Sequence, residues 1–440
     1  MKLVFILNIF KPYKITIHKI LPILLLSFWL FQSCTTGNAV SQQNLEPSNK
    51  KVYTGIEVLR NQHFKLLEGK RVGLITNATG VDGNLKSTVD ILFQAKNVQL
   101  TALYGPEHGV RGNHTAGEWV EKYTDEKTGL PVFSLYGKNR KPNAEMLANV
   151  DVLIYDIQDI GCRSYTFIST MGLAMEAAAE HNKEFIVLDR PNPVGGLRIE
   201  GNIVEDGFQS FVSKYKIPYL YGLTCGELAY LLNEEQMLEN KVKCQLQVVE
   251  MEGWERKMSF EETGLEWVPT SPHIPHKDSP YYYPATGIIG ELYTISIGVG
   301  YTTPFQTFAA EWIKPNVLAD KLNSYNLAGV KFRPLSFKPY YSSMKGLNLQ
   351  GVQIHITDFE AVNLSEIQFY FFQAHNELYP DKNLFELCDE SRWGMFDKVC
   401  GTNKIRENLM SNGSFEKIKW YWNKDVDTFR EVSKAYHLYL

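Results

Sequence analysis

Cysteine is scarce in this chain, six in 440 residues, irregularly spaced and without a CxxC pair. That excludes a disulfide framework and makes a Cys-based zinc site untenable. The glycine signatures of phosphate and dinucleotide binding are missing too. There is no GxxxxGK[ST], and the loop after the first expected strand reads Thr76-Asn77-Ala78-Thr79-Gly80 where GxGxxG would be needed. Neither a GxSxG nucleophile elbow nor an HExxH zinc helix occurs. No excess of basic charge exists, with 45 Lys+Arg against 49 Asp+Glu, so nucleic acid is excluded as a partner. What is present, 44% hydrophobic and 21% charged residues, describes a globular chain long enough for two or three domains.

One local absence is informative. No acid precedes Glu46, whereas Lys2, Lys11, Lys14 and Lys19 lie in the first 34 residues. The almost wholly apolar run Ile20–Phe31 follows, too short for the roughly 20 residues of a membrane-spanning helix. A basic head and a short apolar run make an export signal. It ends in Phe31-Gln32-Ser33-Cys34, which resembles a bacterial lipobox. The expectation is a lipoprotein signal peptide over 1–34, with Cys34 as the lipidated N-terminus. A polar, flexible tether over 35–51 would then carry an exported body anchored to the bacterial cell envelope, on a periplasmic or outer-membrane face. An ordinary signal peptide with an incidental cysteine is the alternative. Without the signal's four lysines the body carries a net charge of −8. Its cysteines, Cys162, Cys225, Cys244, Cys388 and Cys400, read as small buried apolar residues, with a Cys388–Cys400 pair left open.

From Lys51 onward, short β-branched runs alternate with helical patterns. Strands are expected at Arg71–Thr76, Val98–Tyr104, Pro131–Leu135, Asp151–Asp156, Glu184–Asp189 and Gln245–Glu250. Helices are expected at Ser87–Gln94, Asn143–Ala148, Ser169–His181 and Thr224–Asn233. This alternation predicts an α/β fold, a doubly wound parallel sheet over residues 52–257. Residues 268–305, rich in Pro, Gly and Tyr, read as a long ordered loop at a domain junction. Segments Ala310–Leu322, Gly351–Thr357, Leu364–Leu378 and Thr428–His437 suggest a smaller mixed α/β domain, giving a C-terminal unit over 258–440.

Ligands of open parallel sheets bind at the carboxyl ends of the strands. Here those ends carry Asn77, then Glu107-His108 with Arg111, then Asp156, Gln158, Asp159 and Arg163, then Asp189, Arg190 and Asn192. Their spacing matches no standard metal site, and neither metal nor cofactor is expected. Carbohydrate chemistry suits the set, because it needs carboxyl groups for acid, base or nucleophile roles and amides, guanidinium groups and aromatic rings to hold a sugar.

At these loops the chain resembles a known family. LITNATGVD (Leu74–Asp82), ALYGPEHGVRG (Ala102–Gly112), KTGLPVFSLYG (Lys127–Gly137), DVLIYDIQDIGCRSYTFISTM (Asp151–Met171) and LDRPNPVGG (Leu188–Gly196) are similar to motifs of the exo-β-N-acetylmuramidases. GLTCGELA (Gly222–Ala229), SPHIP (Ser271–Pro275), TTPF (Thr302–Phe305) and GVQIHITD (Gly351–Asp358) extend the likeness over 52–440. The resemblance implies a Rossmann-like N-terminal catalytic domain and a smaller C-terminal domain completing a cleft. It also implies release of terminal N-acetylmuramic acid from the non-reducing end of peptidoglycan fragments, with Glu107 as catalytic carboxyl.

Asp156 or Asp159 is expected as a second carboxylate, and His108 as orienting Glu107 or a sugar hydroxyl. The lactyl carboxylate of muramic acid calls for a planar cation. Arg163 and Arg111 are the candidates, with Arg190 behind them. Asn77, Gln158 and Asn192 would bond the acetamido group or ring hydroxyls, and Tyr281, Tyr282 or Tyr283 offers a stacking face. The chain also departs from the family pattern. Ile297 and Val299 stand where Glu and Arg are usual, Thr294 where Asn is usual, and Tyr221 where His is usual. Two other readings therefore stay open: a glycan-binding lipoprotein without turnover, and a hydrolase acting on a different sugar linkage.

Overall fold

Among the described residues, seven strands hydrogen-bond into one sheet in the order β3-β4-β2-β1-β5-β6-β9. The computed structural model describes residues 51–107, 109–112, 122–411 and 414–440, so Cys34 and His108 lie outside it. In chain order the N-terminal elements are α1 (Gly55–Asn61), β1 (Arg71–Thr76), α2 (Thr88–Gln94), β2 (Gln99–Gly105), β3 (Lys122–Thr124), β4 (Pro131–Ser134) and α3 (Ala144–Leu147). Next come β5 (Val152–Asp156), α4 (Phe167–Glu180), β6 (Glu184–Leu188), the short hairpin β7 (Ile199–Glu200) and β8 (Leu220–Tyr221), α5 (Cys225–Glu234) and β9 (Gln245–Val249). All neighbouring pairs in the sheet are parallel except β3 with β4. The doubly wound α/β expectation holds.

β1 and β5 are buried along nearly their whole length, as strands covered on both faces must be. The register sets Ile75 beside both Tyr104 and Tyr155, so β1, β2 and β5 end level. Their following loops emerge side by side. The strand order reverses between β1 and β5, the place where this topology normally seats a ligand.

The second sheet is antiparallel, ordered β10-β12-β11, from β10 (Thr307–Ala310), β11 (Val330–Phe337) and β12 (Leu349–Ile356). Before it lies α6 (Ser279–Gly290); around it lie α7 (Pro315–Ser324), α8 (Ile367–Leu378) and five shorter helices over 384–433. Phe369, Phe371, Phe372, Phe385, Phe396, Phe415 and Trp422 fill the core beneath.

The junction loop expected over 268–305 is corrected by α6, twelve residues long with Pro284 inside it. Pro280 sits in the first turn, where its missing N–H costs nothing. Pro284 would ordinarily break the ladder. The buried Gln368 of α8 repairs it, donating to the Pro284 carbonyl at 2.8 Å and accepting from the Ile288 and Ile289 amides at 3.0 and 3.2 Å. Tyr281, Tyr282, Ala285, Ile288 and Ile289 supply the apolar face. Local composition pointed to a loop, and a side chain 84 residues away overrode it.

Candidate active site

Glu107 stands on a turn after β2, closed by the Gly109 amide on the Pro106 carbonyl at 3.0 Å. Gly109 is left-handed at φ +74°, a backbone that a side chain would strain. A Cβ on Gly105 would meet the Val110 amide at 3.0 Å, so the turn folds tightly over the strand end. This holds the half-buried Glu107 carboxyl over a cavity of about 240 Å³.

Three segments wall that cavity: Ser164–Phe167 at the start of α4, Ser271–Ile274 of the inter-lobe segment, and Tyr283 with Phe305. Tyr165 and Tyr283 meet edge to face at 5.5 Å between centroids, and Tyr283 meets Phe305 likewise at 4.9 Å. The Tyr165 hydroxyl reaches Thr270 at 2.7 Å and the Tyr283 hydroxyl reaches Ser164 at 3.2 Å, which fixes both rings. The Tyr136 phenol stands close enough to Glu107 to feel its charge. Burial pushes the Tyr136 phenol up, and the nearby Glu107 charge pushes it further.

Of the residues singled out in the sequence, Glu107 and Tyr283 meet at this cavity. Most of the others build the loops beneath. Asn77 accepts from the Thr79 amide at 2.9 Å and from the Thr79 hydroxyl, an Asx turn that shapes its own loop. Gln158 donates to the Asp159 and Pro191 carbonyls at 2.8 and 2.7 Å, and Asn192 donates to the Leu223 carbonyl at 3.0 Å. These amides are spent on backbone.

Asp156 is fully buried, paired with Arg190 at 2.5 Å and with the Thr88 hydroxyl. A buried carboxylate so paired holds the β1, β5 and β6 loops together; it lines no part of the Glu107 cavity. With Thr76, Thr79 and Gln158 this pair fills the crevice at the strand reversal, where only about 20 Å³ stays open. The open cavity lies elsewhere, under the loop after β2.

Asp159 is buried as well, accepting from the Gly161 amide at 2.7 Å and the Tyr221 hydroxyl at 2.5 Å, while its Oδ1 has no partner. Tyr221 thus gives the departure from the family's usual His a structural use. Burial raises the Asp159 carboxyl to about 7. The unfolded chain loses this proton near pH 4 and the folded chain near pH 7. Stability therefore falls as pH rises through that window and levels off above it. Asp159→Asn, which keeps an acceptor for both donors, is expected to raise the midpoint of thermal unfolding at pH 8 and to leave it nearly unchanged at pH 4. Equal shifts at both pH values would refute this.

The arginines expected to bind the lactyl carboxylate are committed to other partners. Arg111 is held by Asp125 at 2.5 and 3.0 Å and by Asp90 at 3.3 Å, and this pairing pulls Asp125 down to about 2. Arg163 is buried at 1% exposure and donates to the carbonyls of Asn202, Ile217, Val399 and Cys400 and to the Ser213 hydroxyl. Burial without a carboxylate partner lowers it to about 10. It is a strut between the lobes, and this overturns its reading as a substrate fork. Ile297 and Val299 pack against the second core and line no part of the Glu107 cavity. Glu291, at the start of that segment, pairs with Arg392 at 2.6 Å.

Tyr136, Tyr165, His273 and Phe305 were not singled out as site residues, although each falls inside a motif that carried the resemblance.

Known proteins match along the whole body. The chain is 45% identical over 411 residues to the peptidoglycan β-N-acetylmuramidase NamZ of Bacillus subtilis, covering 93% of this chain and 97% of that protein. A DUF1343 family protein from Bacteroides fragilis superposes with a TM-score of 0.85 at 61% identity, over 89% of this chain and 100% of that one. A second DUF1343 protein from that organism gives 0.70 at 28% identity, over 88% and 99%. Residues 72–278 match the model of the exo-β-N-acetylmuramidase NamZ N-terminal domain and residues 281–439 that of its C-terminal domain. The likeness first visible in the strand-end loops thus extends through both lobes, and the chain belongs to the exo-β-N-acetylmuramidase NamZ family.

Proposed function

We propose that this protein is a glycosidase releasing terminal, non-reducing N-acetylmuramic acid from peptidoglycan fragments, with Glu107 as its catalytic carboxyl. The observation that carries the assignment of Glu107 is its position: a carboxyl on a tight strand-end turn, facing a cavity smaller than the roughly 300–1,000 Å³ of drug-sized pockets. A small cavity suits one terminal sugar, as an exo-acting enzyme requires. Glu107 would protonate the leaving oxygen, Tyr165 and Tyr283 would offer ring faces and hydroxyls, and the inter-lobe segment carrying His273 would close the opposite side. The cleft lies between domains that we place at 52–257 and 258–440.

The deciding assay incubates the protein with the disaccharide MurNAc–GlcNAc and follows both sugars and the anomer by NMR. Free N-acetylmuramic acid is expected; a folded protein that leaves the disaccharide intact would sink the reading.

The envelope location is part of the same proposal. Among the described residues no helix is long and apolar enough to cross a membrane, so attachment rests on the N-terminal segment. Cys34→Ser is expected to move the protein from the membrane fraction to the soluble fraction or to leave its signal uncleaved. Unchanged membrane retention with normal processing would refute lipidation at Cys34.

A further inference from the structure

A cavity of about 240 Å³ suits one sugar ring, so the rest of a MurNAc–GlcNAc fragment must lie outside it, against whatever borders the opening. His273 leads out of the cavity. It lines the wall, and its imidazole stacks on the ring of Tyr341 with 5.9 Å between centroids and 16° between planes. Tyr341 belongs to the loop over 338–348 that joins β11 to β12. The second lobe thereby brings an aromatic side chain to the edge of the Glu107 site.

This loop is tied down at the residues that flank Tyr341. The Tyr340 amide donates to the Gly300 carbonyl at 2.7 Å, and the Ser342 hydroxyl donates to the Val299 carbonyl at 3.3 Å. Gly300 is left-handed at φ +96°, and a Cβ there would meet the Tyr341 carbonyl oxygen at 2.2 Å, so the close approach requires glycine. Val299 and Gly300, in the segment that departs from the family pattern, thus serve the loop through their backbone. Tyr340 lies against Tyr301 at 5.8 Å and 22°, and Tyr301 against Phe337 at 4.7 Å. Both tyrosines of the loop are backed by another ring, yet Tyr341 stays 49% and Tyr340 69% exposed. Single exposed rings are ordinary on a protein surface. A ring fixed on both flanks and stacked on a residue of the cavity wall is instead placed to meet the apolar C–H face of a sugar.

We propose that Tyr341, stacked on His273 at the edge of the Glu107 cavity, is the platform for the second sugar of the fragment, the N-acetylglucosamine that departs as the leaving group. The proposal rests on the substrate assigned above and deepens it: the cavity takes the terminal sugar and the β11–β12 loop takes the next.

Calorimetric titration of the full-length Glu107→Gln protein, which spares the disaccharide, compares MurNAc–GlcNAc with free N-acetylmuramic acid. The second sugar is expected to tighten binding about 3- to 10-fold, the worth of one aromatic stacking contact. Tyr341→Ala in that background should erase the gain, and Tyr341→Phe, which keeps the ring, should retain it. Equal affinity for the two ligands in the parent, or a gain that persists in Tyr341→Ala, overturns the platform. The disaccharide assay on the wild type separates this outcome from the reading beneath it. Turnover with a gain independent of Tyr341 removes only the platform, and a Tyr341-dependent gain without turnover removes only the glycosidase. Neither binding nor turnover removes both.

Discussion

Glu107→Gln is expected to lower the rate of N-acetylmuramic acid release by roughly 10³- to 10⁴-fold, the upper part of the range for loss of a positioned general acid or base. The substitution is isosteric, so the loss should fall on kcat and leave KM within a few-fold of wild type. The turn is fixed by Pro106, Gly109 and Gly105 independently of the side chain at 107. The fold should therefore survive, with an unchanged unfolding midpoint as the control. A variant that keeps more than a tenth of wild-type activity would move the proton-transfer role to another group. Tyr136→Phe gives a graded companion, because it removes a polar hydroxyl near the carboxyl without removing the acid.

How much of this was legible in the sequence depends on how far each signal reaches along the chain. The parallel sheet was readable because its strands announce themselves locally, as five- to seven-residue β-branched runs between polar turns. Glu107 was readable because a strand end, three glycines and a proline lie within five residues of it. Helix α6 was not, since its integrity depends on Gln368, and proline and glycine are weighed locally as breakers. The roles of Asp156 and Arg163 failed for a related reason. Strand-end position predicts where a side chain starts, but whether it points outward or into a neighbouring loop depends on partners distant in sequence. Asp156 meets Thr88 and Arg190, and Arg163 meets Val399 and Cys400. Polar residues at a strand end are thus split between touching a ligand and building the loops that hold those that do. Here the loop builders outnumber the cavity-lining residues.

Arg163 shows what that second group contributes. Replacing it with Met would retain much of the apolar stem while removing every donor. The carbonyls of Asn202 and Ile217 on one side and of Val399 and Cys400 on the other would lose their guanidinium partner together with the Ser213 hydroxyl. An unpaired buried acceptor costs about 1–3 kcal/mol, and some relaxation or water entry would soften the sum. A net loss of about 3–5 kcal/mol is expected, large against the 5–15 kcal/mol that stabilises a typical domain. Arg163→Lys should recover little, because one ammonium has three donors and cannot span four carbonyls in a plane. The cavity wall at Ser164–Phe167 follows Arg163 directly in the chain, so the strut also sets where Tyr165 stands against Tyr283. Any folded fraction of Arg163→Met should therefore show a raised KM as well as a lowered unfolding midpoint. A variant as stable as wild type would mean that the carbonyls find other partners and that the lobes are held by their apolar contact alone.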